Sequence, residues 1–342
     1  MKATVRKAVL LAGGLGTRLR PLTNLCPKPA LPVVNIPLVA HQLLWLAREG
    51  VEEARVSAGY GADKLRAVLA HRDWGLDVRI VVEPRPLDTA GGIKFAADGI
   101  REPFIATNGD ILLDAPLQAM VQAHFAAGAD ATILLRRVPD VSQFGLVLLD
   151  ERRLVTQFLE KQPCDPTGQN AVNAGVYLLA PDVLDFVPAL QPWSAERQLF
   201  PDLLEAGRTV LGFLPQEAYY WADVGQPGTY LAAHRDLLDG ALPWCRAGVA
   251  SGARVDSSAR LVGPVAIAEG AIVGPRARVG PYVSVGEGAE VDAEAVVQEA
   301  VLWPGARVGR GARVCRAVVA TGAHVAAEAN LEDGVCMPDE YS

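Results

Sequence analysis

The stretch "VGPRARVGPYVSVGEGAEV", residues 273–291, repeats one theme every six residues: a valine, then small, proline or charged residues, then valine again. On its N-terminal side the aliphatic positions are Val249, Val255, Leu261 and Ile267. The series continues through Val273, Val279, Val285, Val291 and Val297, slips near Trp303, and resumes at Val308 and Val314. After a second slip it runs through Val319, Val325, Leu331 and Met337. A hexapeptide period held this long predicts a parallel β-helix, in which each strand points one aliphatic side chain inward and small residues turn the corners. A β-sandwich would show longer strands and period two. The expected coil is left-handed, an exception to the right-handed crossover rule.

Upstream the texture differs. Short apolar runs ("KAVLLA", "ARVSAG", "DVRIVVE", "PFIATNGD") alternate with amphipathic stretches ("PLVAHQLLWLAREG", "ADKLRAVLAHR", "APLQAMVQAHFAAG"). This pattern predicts an α/β domain with a mostly parallel sheet, helices on both faces, and ligand sites at the carboxyl ends of strands. The expected division is residues 1–240 and 241–342. A chain of 342 residues is long for one core, in agreement with two domains.

Half of the residues are hydrophobic and the formal net charge is -7. No global positive field exists to hold nucleic acid or an anionic membrane, so an anionic ligand must be met by local charge. The five cysteines, Cys26, Cys164, Cys245, Cys315 and Cys336, are scattered and lack metal-ligand spacing, as in a reduced cytoplasmic protein. No run is long enough to span a membrane. The first apolar run, Ala8 to Ala12, is too short for a secretory leader and is followed by Arg18 and Arg20, so it reads as a first strand.

Directly after that strand comes "LLAGGLGTRLRPLTNLCPKPALPVV", residues 10–34. Gly13, Gly14 and Gly16 let backbone N–H groups converge on a phosphate without obstruction. The dinucleotide fingerprint fails at Leu19, and no Gly-Lys-Ser/Thr follows for a P-loop. Instead Arg18, Arg20 and Lys28 follow, the lysine set between Pro27 and Pro29, a proline-stiffened return suited to a polyphosphate.

"AGGLGTRLRPLT" with "PKPALPV" resembles the G-x-G-T-R-L-x-P-x-T…P-K-P signature of sugar-1-phosphate nucleotidyltransferases, the NDP-sugar pyrophosphorylases. Further stations occur in family order: "EPRPLDTAGG" (83–92), "NGD" (108–110), "FG" (144–145), "FLEKQ" (158–162), "NAGVY" (173–177) and "WADVG" (221–225). The "PKP" context, "FLEKQ", "SAERQLFP" and the hexapeptide domain are most similar to the mannose-1-phosphate guanylyltransferase branch. The resemblance implies a Rossmann-like, GT-A-like mixed-sheet domain before the left-handed β-helix. It also implies a Mg²⁺-dependent attack of a sugar 1-phosphate, mannose 1-phosphate in that branch, on the α-phosphate of an NTP, GTP here, giving NDP-sugar and pyrophosphate. Such chemistry asks for alignment and charge neutralisation.

The same resemblance assigns Arg18, Lys28, Asp110, Lys161 and Asp223 to catalysis, with Asp110 and Asp223 as the Mg²⁺ carboxylates. Leu11, Ala12, Gly13, Gly14, Gly16, Thr17, Glu83, Thr89, Ala90 and Gly91 fall to the nucleotide. Gly145, Glu160, Asn173, Gly175 and Glu196 fall to the sugar. Taken alone, Asp110 also fits an Asx turn, Glu160 with Lys161 a surface ion pair, Glu196 a helix cap behind Ser194, and Arg20 a solvated side chain. Asp88 stands where the common family form has glycine.

Three other readings stay open. A regulatory homologue that senses a nucleotide sugar should lack one of the five catalytic residues, and all five are present. An acyltransferase β-helix would need a catalytic histidine, and His324 is the candidate within the repeats. For the substrates, glucose 1-phosphate with UTP or dTTP, or a heptose phosphate with GTP, is the alternative pair. The β-helix is also expected to join subunits into a homo-oligomer, without nucleic acid or membrane as partner.

Overall fold

The computed structural model describes residues 4–70, 72–142, 144–160, 162, 164–165 and 167–341. They form two compact units. One holds the chain through Gly14 together with Val39–Trp221; the other holds Leu15–Leu38 together with the chain from Ala222.

The first unit is built on a nine-stranded sheet. Its strands are β1 (Lys7–Ala12), β2 (Glu53–Ala58), β3 (Asp77–Val82), β4 (Phe104–Asn108), β5 (Ala131–Arg137), β6 (Gly145–Leu149), β7 (Val155–Glu160), β8 (Ala171–Leu179) and β9 (Val210–Phe213). The order is β7-β6-β8-β4-β1-β2-β3, with β5 also on β8 and β9 on β5. β1 pairs in parallel with β2 and β4, and its Ala8, Val9 and Leu10 are fully buried, as expected for a strand covered on both faces. Helix α1 (Leu38–Arg48) follows the glycine-rich segment, α2 (Ala62–Leu69) links β2 to β3, and α3 (Asp88–Ala96) lies against β1 and β2.

The sheet is mixed, as the family resemblance implies, rather than mostly parallel as the alternation alone reads. β8 runs antiparallel to β4, β5 and β6, and β6 antiparallel to β7. The reason lies between Ala131 and Leu179, where four strands follow one another with no helix among the described residues between them, and such connections favour antiparallel neighbours.

In the second unit, short strands stack in parallel into sheets of six, five and five. This arrangement is consistent with the left-handed β-helix that the period predicts. Val273, Val279, Val285, Val291 and Val297 are buried to within 1%. In one sheet Ile267 pairs with Val285, Val285 with Leu302, Leu302 with Val319 and Val319 with Cys336. The coil therefore shortens from 18 to 17 residues after Val285. The slip near Trp303 falls before Leu302, and the last in-register residue is Cys336, not Met337. Each shortened corner turns on a residue with positive φ: Glu299 (46°), Arg316 (45°) and Asp333 (50°). Among the described residues no helix is long and apolar enough to cross a membrane.

Candidate active site

In the first unit Leu11 to Gly14 lie at the carboxyl end of β1, Glu83 at that of β3 and Asp110 just past that of β4. Gly109 donates its N–H to Leu11 O at 2.8 Å, and a Cβ there would lie 2.3 Å from that oxygen. Only glycine lets the end of β4 close on β1 in this way, and the contact sets the turn that carries Asp110. The same turn is fixed by a residue that sequence reasoning missed. Gln42 of α1, fully buried, donates to Asn108 O (2.6 Å) and Ile111 O (2.9 Å) and accepts from Thr107 Oγ1 (3.1 Å). The available signal was one glutamine inside the apolar run "VAHQLLWL". Asn108 Oδ1 is buried without a hydrogen-bond partner among the described residues, an acceptor left open two positions from Asp110.

Leu11 and Ala12 end β1, followed by Gly13 and the exposed Gly14. Glu83 fills the space between two glycines: a Cβ on Gly13 or Gly92 would come within 3.1 and 3.0 Å of its Oε1. Its carboxylate accepts from Ser57 Oγ (2.8 Å) and Leu87 N (3.1 Å), so it braces the loop that leads into α3.

That loop is latched to residues 191–197. Thr89 Oγ1 accepts from Ala195 N at 2.7 Å and donates to Glu196 Oε2 at 3.2 Å, and Gly91 N donates to Trp193 O at 3.1 Å. Ala90 is fully buried. Glu196 also accepts from Ser194 Oγ (3.1 Å), Tyr177 OH (2.8 Å) and Asn173 Nδ2 (3.4 Å). Burial, and then the Glu196 charge, hold the Tyr177 hydroxyl well above its usual pKa, so it stays protonated and donates. The capping role weighed for this segment is filled by Ser194, whose hydroxyl accepts from Arg197 N at 3.2 Å.

Gly145, Asn173 and Glu196 line one cavity of about 180 Å³ together with Phe158, Leu159, Arg197 and Pro201. Three of the five residues assigned to the sugar therefore share a pocket. β8 is irregular between Asn173 and Tyr177, where Gly175 takes φ 76°. Such a bulge re-aims side chains, and Asn173 Oδ1 accepts from Gly175 N at 2.9 Å. Glu160 ends β7, but its side chain and the whole of Lys161 lie outside the described residues.

Asp88 has φ 59°, the left-handed region in which glycine is the ordinary choice. The departure from the family's glycine is thus a side-chain addition onto a glycine-like backbone. Its Oδ1 accepts from Thr89 N (2.8 Å), and its Oδ2 pairs with Arg197 Nη2 (3.0 Å). Asp88→Gly should leave stability within about 1 kcal/mol, because relief of left-handed strain offsets the lost exposed pair. Asp88→Val should lower it by roughly 1–2 kcal/mol, since a β-branched residue keeps the strain without the partners. Thermal unfolding of the two variants checks the order.

The second unit brings together three of the five catalytic assignments. Gly16 (φ 60°) opens a turn over Thr17–Leu19, and Thr23 Oγ1 closes back on Gly16 O at 3.0 Å. Lys28, 7% exposed, places Nζ 3.8 Å from Asp223 Oδ1. A Cβ on Gly225 would meet Asp223 Oδ1 at 3.0 Å and Arg18 Nη2 at 3.4 Å. Gly225 therefore keeps open the place where Arg18 and Asp223 converge. Thr17 and Arg20 are exposed at this turn. His324 lies exposed on the outside of the β-helix, in register with Arg307.

Comparison with known proteins places the chain in a family. Residues 7–240 match the family model "Nucleotidyl transferase", and residues 261–340 match "GMPPB C-terminal domain". A probable mannose-1-phosphate guanylyltransferase 1 from Oryza sativa subsp. japonica is 35% identical over 98% of this chain and 91% of its own length. A probable mannose-1-phosphate guanylyltransferase 2 from Arabidopsis thaliana is 37% identical over 68% of this chain, which spans 65% of that relative's length. Among solved structures, HddC from Yersinia pseudotuberculosis, complexed with GMP-PN, is similar with a TM-score of 0.59 and 26% identity, covering 68% of this chain and 99% of that one.

Proposed function

Because the chain belongs to the nucleotidyl transferase family, we propose that it transfers a guanylyl group from GTP to mannose 1-phosphate, giving GDP-mannose and pyrophosphate. The observation that carries the reading is the meeting of Arg18 and Asp223 at Gly225, with Lys28 3.8 Å from the Asp223 carboxylate. Two cations beside a glycine turn suit a triphosphate, where they would offset the charge that builds on the leaving pyrophosphate. Guanine is favoured by the names of the two plant relatives and by the GMP-PN in the Yersinia neighbour. In the other unit the pocket of Gly145, Asn173 and Glu196 would take the sugar, with Lys161 on its phosphate. Residues 1–240 would form the transferase domain and 241–342 the β-helix domain.

The donor set fits Mg²⁺. Among the described residues no three His, Cys, Asp or Glu side chains converge on one point, and Mg²⁺ held by one or two carboxylates and substrate phosphates needs no such cluster. Asp110 and Asp223 are the carboxylates that would hold it, with the unpartnered Asn108 Oδ1 adding a hard oxygen near Asp110. The ion would supply neutralisation of phosphate charge.

A pyrophosphate-release assay with Mg²⁺, crossing GTP, dTTP, UTP, ATP and CTP with mannose 1-phosphate and glucose 1-phosphate, tests the reading. Turnover confined to GTP with mannose 1-phosphate is expected. Turnover with another pair would keep the chemistry and overturn the substrates. No turnover with tight nucleotide-sugar binding would favour a sensor. We further propose a cytoplasmic homo-oligomer joined through the β-helix, which a monomer mass on gel filtration would overturn.

A further inference from the structure

The second unit contains a set of contacts that the proposed chemistry does not use. Four residues after Lys28, Pro32–Val33 and Ile36–Pro37 form a tight antiparallel hairpin, with Val34 and Asn35 at its tip in the left-handed region (φ 46° and 62°). The hairpin is tied to the β-helix at two points. Asn35 Nδ2 donates to Val285 O at 3.2 Å and Ala266 O at 3.4 Å, on adjacent coils.

His234, 2% exposed, lies on the helix Pro227–Leu238 between hairpin and β-helix. Its Nδ1 accepts from Val34 N (3.2 Å) and lies 3.1 Å from Ser284 Oγ, while Nε2 lies 3.2 Å from Pro32 O. A backbone donor on one nitrogen and a carbonyl on the other fix a single neutral tautomer, with the proton on Nε2. Tyr230 adds a hydrogen bond to Pro32 O and accepts one from Trp303 Nε1 (3.0 Å).

The segment between Lys28 and these ties has little freedom. Pro27, Pro29, Pro32 and Pro37 stiffen it, Leu31 N donates to Lys28 O at 3.1 Å, and Leu38 N donates to Leu31 O at 2.8 Å. At its other end Lys28 Cβ packs against Gly16, where an added Cβ would come within 3.1 Å. A displacement of the hairpin is therefore passed to the lysine rather than absorbed.

We infer that Asn35 and His234 are positioning residues for Lys28, and that the β-helix is the scaffold on which this phosphate-binding lysine is set. The inference rests on the proposed role of Lys28 toward the nucleotide. Neither residue touches substrate; both act through the hairpin.

The test uses the full-length chain. Asn35→Gly keeps the left-handed backbone and removes both amide donors. It should lower kcat about tenfold, the effect of losing two ordinary hydrogen bonds, and should speed amide exchange of residues 30–36 while exchange in the β-helix strands stays unchanged. In a Lys28→Ala background the same change should add less than about twofold, because its route of action is gone.

Ser284→Ala, a milder variant that removes one contact to His234 and leaves the interior of the coil intact, should show the same faster exchange and carries the test if Asn35→Gly fails to fold. Unchanged exchange in the hairpin would overturn the inference. So would equal effects of Asn35→Gly with and without Lys28. Amide exchange needs no substrate, so faster exchange in a chain that turns over no nucleotide would uphold the tether and sink the proposed reaction instead.

Discussion

Replacing Lys28 with alanine will lower kcat/KM by about two to three orders of magnitude, the range seen when one charge-stabilising donor is removed from a transfer site. The ammonium is buried, 3.8 Å from Asp223 Oδ1, and no other lysine lies in the Leu15–Leu38 segment to replace it. Most of the loss should fall on kcat, because charge on the pyrophosphate grows toward the transition state and the missing cation is felt most there. Arginine at this position should recover less than tenfold, since a planar fork does not fit a point-charge site. Steady-state pyrophosphate release with both substrates varied gives the two parameters. Activity within threefold of the parent would remove Lys28 from the chemistry.

Gly280→Ala will be the most damaging single methyl in the β-helix. At φ 107°, its Cβ would lie 1.8 Å from Val262 O and 2.8 Å from Val265 Cγ1. The backbone on either side is pinned, Gly280 N donating to Val297 O at 2.8 Å. Neither coil can move without breaking its own ladder, so the expected loss is about 4 kcal/mol or more. This should appear as a fall in melting temperature of roughly 8–16 °C. Gly288→Ala is the control: φ is 62° but nothing lies within 4 Å of the added methyl, so only about 1–2 kcal/mol of left-handed strain applies. Similar melting temperatures for the two variants would show that the coils yield more easily than their hydrogen bonding implies.

What could be read from the sequence follows from how local each cause is. The hexapeptide period is local, since every in-register valine has its corner residues within a few positions, and the β-helix was legible from it. The last slip was not, because the pairing residue is Cys336, and an aliphatic Met337 one step later completes the written pattern better. The strand ends carrying Gly13 and Asp110 were legible from apolar runs closed by glycine motifs. The mixed pairing could be read only through the family resemblance, because the direction of β8 depends on three strands it meets only in the fold. Asp88 was visible as a departure, yet its partner Arg197, 109 residues away, has no local sign. Glu196 looked like either a cap or a sugar contact. Its bonds to Thr89 and Asn173, 107 and 23 residues distant, have no local pattern at all.

The interleaving of the two units bears on the order in which the protein is made. Val34 leaves the ribosome 200 residues before His234, and Asn35 leaves 250 residues before Val285. At roughly 5–20 residues per second, the segment carrying Arg18 and Lys28 waits about 10–50 seconds for its supports to be synthesised. Protease added to stalled nascent chains should cut within residues 15–38 until the β-helix has emerged, and early protection there would refute this timing. A ribosome that stops short thus releases a chain in which Arg18 and Lys28 are not yet held in place, and such a fragment is expected to lack the proposed transfer activity.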